Sequence, residues 1–181
     1  MTHPLHDILP AISHSGLRKL TDRALQEAPS SFWSAPASTS GKYHPAESLG
    51  IGGLLRHTRK VYTLTTALLD MYGVEPMAVL YSVCQAAALL HDTHKVSADS
   101  GHSHFDHPLR AGRAVRGLLP YFPDIPARVG EMLVHAIESH MGRWNTSKYQ
   151  PDVVLPTPAN EAAWIVHTAD YLASRKYVTV L

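Results

Sequence analysis

The residues best suited to chemistry are a histidine and an aspartate in succession, His91 and Asp92, at the end of a long apolar run. Neighbouring residues on an α-helix point about 100° apart, so both can reach one metal ion only near a helix end. An imidazole nitrogen and a carboxylate oxygen are ligands that divalent transition metals accept. Taken alone, however, the pair is better explained as a helix C-terminus with His91 near the dipole and Asp92 in water.

Two further residues change this interpretation. His57 lies in the apolar segment before His91, and Asp170 lies in the last apolar segment of the chain. An aspartate among apolar helix neighbours is costly to bury unless it is paired or binds a metal. Four candidate ligands on three helices therefore predict a metal site inside a helical bundle.

Helical spacing of apolar residues predicts about six helices, and the expected fold class is all-α, a single helical bundle. The helices are expected at 8–25, 54–71, 76–92, 108–118, 126–142 and 160–172. Residues 28–53, rich in Pro, Ser, Gly and Thr, are expected to form an ordered loop. Further loops are expected at 97–106 and 142–158, and the strand signals at 152–155 and 177–180 are too short to build a sheet.

Composition limits the class of protein. The chain has 181 residues, 45% hydrophobic and 17% charged, which fits about one domain and argues against disorder. A net charge of +1 excludes a broad basic surface, although local clusters such as Arg110 with Arg113 could hold a phosphate. The single cysteine, Cys84, cannot form an intramolecular disulfide and is expected to be buried and inert. Without a secretory signal or a membrane-length apolar run, we expect a cytoplasmic protein with no membrane partner.

Four short segments resemble a known family. They are Gly-Gly-Leu-Leu-Arg-His-Thr at 52–58, His-Asp-Thr-His-Lys at 91–95, Ser-His-Met-Gly at 139–142 and Ala-Asp-Tyr-Leu at 169–172. In this order they resemble the HD superfamily of metal-dependent phosphohydrolases, especially the HD domains of bacterial 3′-5′ exoribonucleases and related phage and plasmid proteins. His94 replaces a glycine of that pattern, and Met141 replaces a second histidine. The likeness covers about 41–176, so we expect an N-terminal helix and loop at 1–40, an HD domain at 41–181, and one compact domain overall.

The resemblance also implies roles for residues by position. One ion would be held by His57, His91, Asp92 and Asp170, and a second ion would add His107 and His140 as ligands. Lys95 would meet the substrate phosphate as a point charge. Catalysis would depend on Asp92, on Lys95 and on a protonated histidine such as His94 or His107 that donates to the leaving oxygen.

Other residues are less certain members of the site. His44 lies where the exoribonuclease relatives have a histidine pair, so a substrate contact is expected; Arg110 and Arg113 fit either a phosphate clamp or a solvated helix face. His135 lies five residues before His140, too far around a helix to share its face, and the motif favours His140. His167 shares the face of Asp170 and is either an orienting partner or a core histidine.

The function predicted on these grounds is a phosphohydrolase that acts on nucleotides or short oligonucleotides through a metal-activated water. One or two divalent transition metal ions are expected, from Mn, Fe, Ni, Co or Zn, with Mg also considered. The chain has no room for the additional oligonucleotide-binding domain of the exoribonucleases, which favours small substrates. The alternatives are a di-iron oxygenase of a small molecule and a non-catalytic nucleotide-binding protein, and Lys95 favours phosphate over oxidation. A homo-oligomer is left open.

Overall fold

The computed structural model describes residues 3–38, 41–96 and 102–178. Within these ranges it contains seven α-helices: Ser15–Gln26 (α1), Ser30–Ser34 (α2), Gly53–Met71 (α3), Val79–Leu90 (α4), His107–Leu118 (α5), Ala127–Glu138 (α6) and Glu161–Ala173 (α7). Short 3₁₀-helices lie at His6–Ala11, Ala46–Ser48 and Leu119–Tyr121, and one small sheet pairs Thr146–Ser147 (β1) with Gln150–Val154 (β2). The fold class is all-α, as predicted, and the six longer helices lie in the six predicted segments.

Helix α4 is the centre of the bundle. Every residue from 81 to 90 is buried, and the helix contacts α1, α3, α6 and α7. Two of its polar residues form hydrogen bonds: Ser82 Oγ accepts from the His14 backbone N–H at 3.1 Å, and Gln85 Nε2 donates to Tyr62 at 2.9 Å. Gln85 Oε1 is buried without a partner among the described residues. Because α4 is surrounded in this way, whatever follows its last residue emerges inside the protein. That position belongs to His91, the C-cap residue.

The prediction of a single N-terminal helix at 8–25 is wrong. The structure has a 3₁₀-helix over His6–Ala11 that contains Pro10, and α1 begins only at Ser15. Proline has no N–H to donate, and the His14 ring ends the break by accepting a hydrogen bond from the Leu17 N–H at 3.3 Å. The apolar residues on both sides of the break, including Leu9 and Leu17, are buried in the same core as α4.

Two of the predicted loops contain regular structure. Segment 28–53 includes α2, which buries Phe32, and the 3₁₀-helix Ala46–Ser48. Segment 142–158 contains the antiparallel pair of β1 and β2, so the prediction that residues 152–155 take no part in a sheet is wrong. Residues 97–101, in the predicted Ser, Gly and His loop, and residues 179–180 of the second weak strand signal lie outside the described residues. None of the helices in the described ranges has the length and apolar character needed to cross a bilayer.

Candidate metal centre

Five helical elements converge on one point of the interior. Helix α3 carries His57, the end of α4 carries His91 and Asp92, and α7 carries Asp170. The first residue of α5 is His107, and His140 lies in the turn after α6. Five of these six side chains are at most 5% exposed and the sixth, Asp170, is 19% exposed. The structure therefore brings together all six residues that the sequence proposed as ligands.

The Asp92 carboxylate lies in the middle of this cluster. Its Oδ2 is 3.4 Å from His91 Nε2 and 3.8 Å from His57 Nε2. Its Oδ1 lies on the other side, 3.0 Å from His107 Nε2 and 3.6 Å from His140 Nε2. One carboxylate thus faces two separate pairs of imidazoles.

The second carboxylate, Asp170, completes only one side of the cluster. Its Oδ1 is 2.9 Å from His57 Nε2 and 3.9 Å from His91 Nε2. Two sets of three residues have their ligand atoms close enough for one ion: His57, His91 and Asp170, and His91, Asp92 and His140. The cluster can therefore accommodate a cation on either side of Asp92.

Backbone carbonyl groups fix which ring nitrogens face the cluster. The Nδ1 atoms of His91, His107 and His140 lie 2.8, 2.7 and 2.7 Å from the carbonyl oxygens of Ala88, His104 and Ile137. A carbonyl oxygen only accepts, so each Nδ1 carries the proton and each neutral ring presents a lone pair at Nε2. All three Nε2 atoms point into the cluster. This is the arrangement that orients histidine ligands in metal sites.

Unsatisfied atoms test whether the residues fit a metal. Among the described residues, the buried atoms His91 Nε2 and Asp92 Oδ1 have no hydrogen-bond partner. His107 Nε2 and His140 Nε2 are only 3.2 Å apart, and two lone pairs at that distance repel unless a proton or a cation lies between or beside them. Buried polar atoms without partners are costly. A divalent cation bound by these imidazoles and carboxylates would satisfy them all.

Burial and neighbouring charge set protonation states that suit a metal site. Burial lowers the pKa of His57, and burial together with nearby His91 lowers the pKa of His140 to about 3. Burial also acts to lower the pKa of His91, but the Asp92 and Asp170 carboxylates outweigh it and raise that pKa. His57 and His140 are therefore neutral at pH 7, as a metal ligand must be.

The two carboxyl groups are held ionised. Burial acts to raise the pKa of Asp92, but Lys95 and His91 outweigh it and hold that pKa well below its usual range. For Asp170 burial again acts to raise the pKa, and the hydrogen bond and charge of His57 outweigh it, so that the pKa is strongly lowered. Two anionic carboxylates beside the neutral rings of His57 and His140 make the cluster a cation-binding centre.

A comparison with known proteins agrees with this geometry. The family model of the HD domain matches residues 54–175, about two thirds of the chain, and all six residues of the cluster lie inside the match. The chain belongs to the HD-domain family. No curated protein and no solved structure matches it. The particular likeness to exoribonuclease HD domains therefore remains a resemblance of motifs.

A cavity of about 750 Å³ opens beside the metal cluster of this HD domain, and we refer to it as the site cavity. His107, His140 and Asp170 belong to its wall, as do the predicted substrate residues Lys95 and His44. Lys95 Nζ is 2.7 Å from Asp92 Oδ2, and although burial acts to lower the pKa of Lys95, the Asp92 carboxylate raises it. Lys95 is therefore a permanent cation at the edge of the cluster.

His44 is the other predicted substrate residue in the site cavity. Its ring centroid is 5.5 Å from that of His57. Burial, assisted by the charge of Lys95, lowers the pKa of His44 to about 4. At neutral pH it is an uncharged lining group that can donate or accept a hydrogen bond but adds no charge.

Three predicted site residues lie outside both the cluster and the wall of the site cavity. Arg110 is exposed and bonds its helix neighbour Asp106 at 2.9 Å, and Arg113 is exposed on α5. His94, the predicted proton donor, lies 3.1 Å from Thr93 Oγ1 and lines a different cavity of about 710 Å³, the distal cavity. His94 lies apart from Lys95 because the turn after α4 directs the two side chains to different sides. The two arginines lie apart because only the N-terminal end of α5 reaches the cluster. The solvated-face interpretation of the two arginines fits the structure.

The histidines left undecided by the sequence are separated by their contacts. His135 Nε2 accepts a hydrogen bond from the Ala159 N–H at 3.1 Å, outside the cluster. His167 Nδ1 donates to the His140 carbonyl at 2.7 Å, and its ring lines the site cavity. A Cβ at Gly142, whose φ is +58°, would come within 2.2 Å of that ring. His167 thus holds the backbone of the turn that carries His140, which is a different partner from the Asp170 carboxylate that the sequence suggested for an orienting role.

Sequence reasoning missed a group of residues on the outer wall of the site cavity. They are Tyr43, Arg143, Trp144, Tyr171 and Arg175. The only signal available was adjacency, since Trp144 follows the Ser-His-Met-Gly segment closely and Tyr171 directly follows Asp170. Exposed aromatic and arginine residues are too common in loops and helix ends for that signal to single them out.

Proposed function

We propose that this HD-domain protein is a metal-dependent phosphohydrolase that acts on nucleotides or short nucleic acid. The observation that carries the proposal is the position of Lys95, a cation that lies against Asp92 in the middle of the cluster and also lines the site cavity. A phosphate ester placed beside the cluster would meet this ammonium group. Oxidation of a small uncharged molecule would not require an ammonium group at this position.

The cluster indicates which residues would hold the metal. One ion would be held by His57, His91, Asp92 and Asp170, and a second by Asp92, His107 and His140. Imidazole with carboxylate suits Mn, Fe, Co, Ni or Zn. Bound there, the metal would supply hydroxide near neutral pH and offset the negative charge of the phosphate.

The chain's own charges favour an anionic substrate. Among the described residues that line the site cavity, Lys95, Arg143 and Arg175 are cationic, and Asp170 is the only carboxylate. Because Asp170 belongs to the cluster and Lys95 bonds Asp92, the net positive charge of the outer wall comes from Arg143 and Arg175. Such a wall favours anionic ligands over uncharged ones.

Metal analysis together with an assay tests the proposal. Wild type and Asp92→Ala are purified in parallel with His135→Ala as the matched control, because His135 lies outside the cluster. Metal content is measured by elemental analysis, and release of product is measured with added Mn²⁺. The substrates are p-nitrophenyl phosphate, bis(p-nitrophenyl) phosphate, nucleoside 5′-monophosphates and short oligonucleotides.

We expect wild type and His135→Ala to retain one or two equivalents of metal and to hydrolyse at least one of these esters. Asp92→Ala should lose both metal and activity. Absence of metal after reconstitution, or an active Asp92→Ala variant, would contradict the proposal. Substrate-dependent oxygen uptake with ferrous iron and no phosphate release would instead support an oxygenase, and nucleotide binding without turnover would support a binding protein.

A further inference from the structure

The outer wall of the site cavity is a column of alternating aromatic and cationic side chains. The rings of Trp144 and Tyr171 are stacked, with centroids 5.3 Å apart and planes 14° apart. The Arg143 guanidinium lies 4.6 Å from the Trp144 ring, and the Arg175 guanidinium lies 4.4 Å from the Tyr171 ring. Tyr43 continues the column, 5.3 Å from Arg175. Residues from three distant parts of the chain build this wall.

Within the described residues, the two arginines of the column have no anionic partner. In the described part of the chain neither forms an ion pair, and the one side-chain bond of Arg175 is from Nη2 to Ser174 Oγ at 3.4 Å. Arg175 Nε is buried without a hydrogen-bond partner among these residues. Four other arginines, by contrast, each pair with a carboxylate: Arg23, Arg59, Arg110 and Arg116. A guanidinium held by its flat face keeps its N–H edges available, and these match the oxygens of a phosphate.

The column is better suited to bind a charged group than to stack a nucleobase. Trp144 and Tyr171 present ring faces to each other and to the two guanidinium groups, and these are the faces on which a base would stack. The cations closest to the metal cluster and those of the column are also different residues, since Lys95 bonds Asp92 while Arg143 and Arg175 lie on the aromatic rings. The site cavity therefore has two separate cationic places.

We propose that Arg175, whose buried Nε has no hydrogen-bond partner among the described residues, binds a second phosphate of the substrate, separate from the phosphate at the metal cluster. This inference rests on the proposed function and narrows its substrate class to ligands with two phosphates on one or more nucleosides. A nucleoside 3′,5′-bisphosphate and the end of an oligonucleotide share this chemistry. At about 750 Å³ the site cavity lies within the range of roughly 300–1,000 Å³ typical of small-molecule sites, so it has room for such a ligand.

Isothermal titration calorimetry of the full chain as purified tests this inference. The probes are adenosine 5′-monophosphate, adenosine 3′,5′-bisphosphate and the dinucleotide pApA, with chromatography after each titration to detect any turnover. The proteins are wild type, Arg143→Gln, Arg175→Gln and the control Arg113→Gln, which removes an exposed arginine outside the site cavity. Glutamine keeps a polar amide that can hydrogen-bond while it removes the charge.

In wild type and Arg113→Gln we expect the bisphosphate or pApA to bind at least about tenfold more tightly than the monophosphate. One additional charge-assisted hydrogen bond accounts for a difference of this size. Arg175→Gln should reduce this preference and leave the affinity for the monophosphate within about twofold. Arg143→Gln should keep the preference, because Arg143 lies on Trp144, the other ring of the stack. A stronger preference for pApA would identify an oligonucleotide end as the source of the second phosphate, and a stronger preference for the bisphosphate would identify a mononucleotide.

Equal affinity of wild type for all three probes would overturn the inference. So would an Arg175→Gln variant that binds the monophosphate and the bisphosphate more weakly to the same extent, because Arg175 would then act on the whole site. These outcomes are separate from failure of the proposed function. Hydrolysis without the two-phosphate preference would support the phosphohydrolase and reject the second phosphate site. The preference without hydrolysis would support a binding site for doubly phosphorylated ligands and reject the phosphohydrolase.

Discussion

Two cavities of nearly equal size adjoin the turn that follows α4, the site cavity of about 750 Å³ and the distal cavity of about 710 Å³. Consecutive residues separate them, since Lys95 lines the first and His94 lines the second. Both cavities contain histidine and arginine, so neither volume nor residue type distinguishes them. Their difference lies in how the polar groups are satisfied.

In the distal cavity the charged side chains neutralise each other. Its charged residues, Arg23 and Glu27, pair with each other at 2.5 Å, and apolar residues such as Leu90 and Val115 contribute to its wall. The site cavity instead adjoins buried ligand atoms without partners and carries arginines without carboxylates. Unsatisfied groups cost stability, so a fold that retains them points to a ligand that satisfies them.

The largest expected effect is a difference in activity between variants of two histidines that lie close together in the sequence, His91 and His94. His91→Ala removes a central ligand, so it should abolish activity, a loss of roughly a thousandfold or more, while the helical circular-dichroism signal stays intact. His94→Ala, on the distal side, should keep activity within about twofold of wild type and retain the metal. Elemental analysis and initial rates on p-nitrophenyl phosphate would measure both. An active His91→Ala variant would remove the basis for separating the two cavities.

Removing one cation from each cavity should give the next largest difference. Lys95→Gln should reduce kcat/KM about a hundredfold, because a charge-assisted contact to the phosphate is lost in the transition state. Arg23→Gln should leave kcat/KM unchanged, since Arg23 is paired with Glu27 outside the site cavity. Steady-state kinetics, with metal content checked in each variant, provide the measurement. Equal losses in the two variants would mean that Lys95 has no special contact with substrate.

A glycine beside each cavity should respond in opposite directions. Gly142→Ala should destabilise the fold by about 1–3 kcal/mol, because φ is +58° and the new Cβ would meet the His167 ring. Gly117→Ala should stabilise by roughly 0.5 kcal/mol, since α5 favours alanine there and nothing lies within 4 Å of the new Cβ. Urea denaturation curves would show both changes. A neutral Gly142→Ala variant would mean that the His140 turn is less constrained than its contacts indicate.

The smallest expected effect is a difference in the pH dependence of stability. Folded His140 has a pKa of about 3 against an ordinary value of 6.5, so the unfolded chain binds more protons between these values. The metal-free protein should therefore lose stability as the pH falls from about 6.5 toward 4. His140→Gln should flatten this slope more than His94→Gln does, although burial lowers the pKa of His94 as well. Thermal melting across this pH range would test the difference, and parallel slopes for the two variants would contradict it.

Much of the fold and of the ligand set could be predicted from the sequence. Apolar residues with helical spacing predicted the six longer helices, because burial of one face imposes that spacing on any amphipathic helix. The Pro10 break and the β1–β2 pair were missed, because they depend on local contacts, such as the His14 cap, that apolar spacing does not report. The four short segments also predicted which residues would meet, since a buried metal cluster requires particular side chains at particular helix ends.

The direction of individual side chains beyond helix ends was decided only by the tertiary structure. His94 and Lys95 are neighbours in sequence, yet the turn after α4 directs them to different cavities. Arg143 and Arg175 joined the site because the α6–β1 turn and the end of α7 meet there. A periodic pattern identifies the buried face of a helix, whereas the relative positions of turns result from the packing of all the helices together. The sequence by itself thus predicted which histidines and aspartates meet in the buried cluster, and the tertiary structure decided which charges surround the cavity beside it.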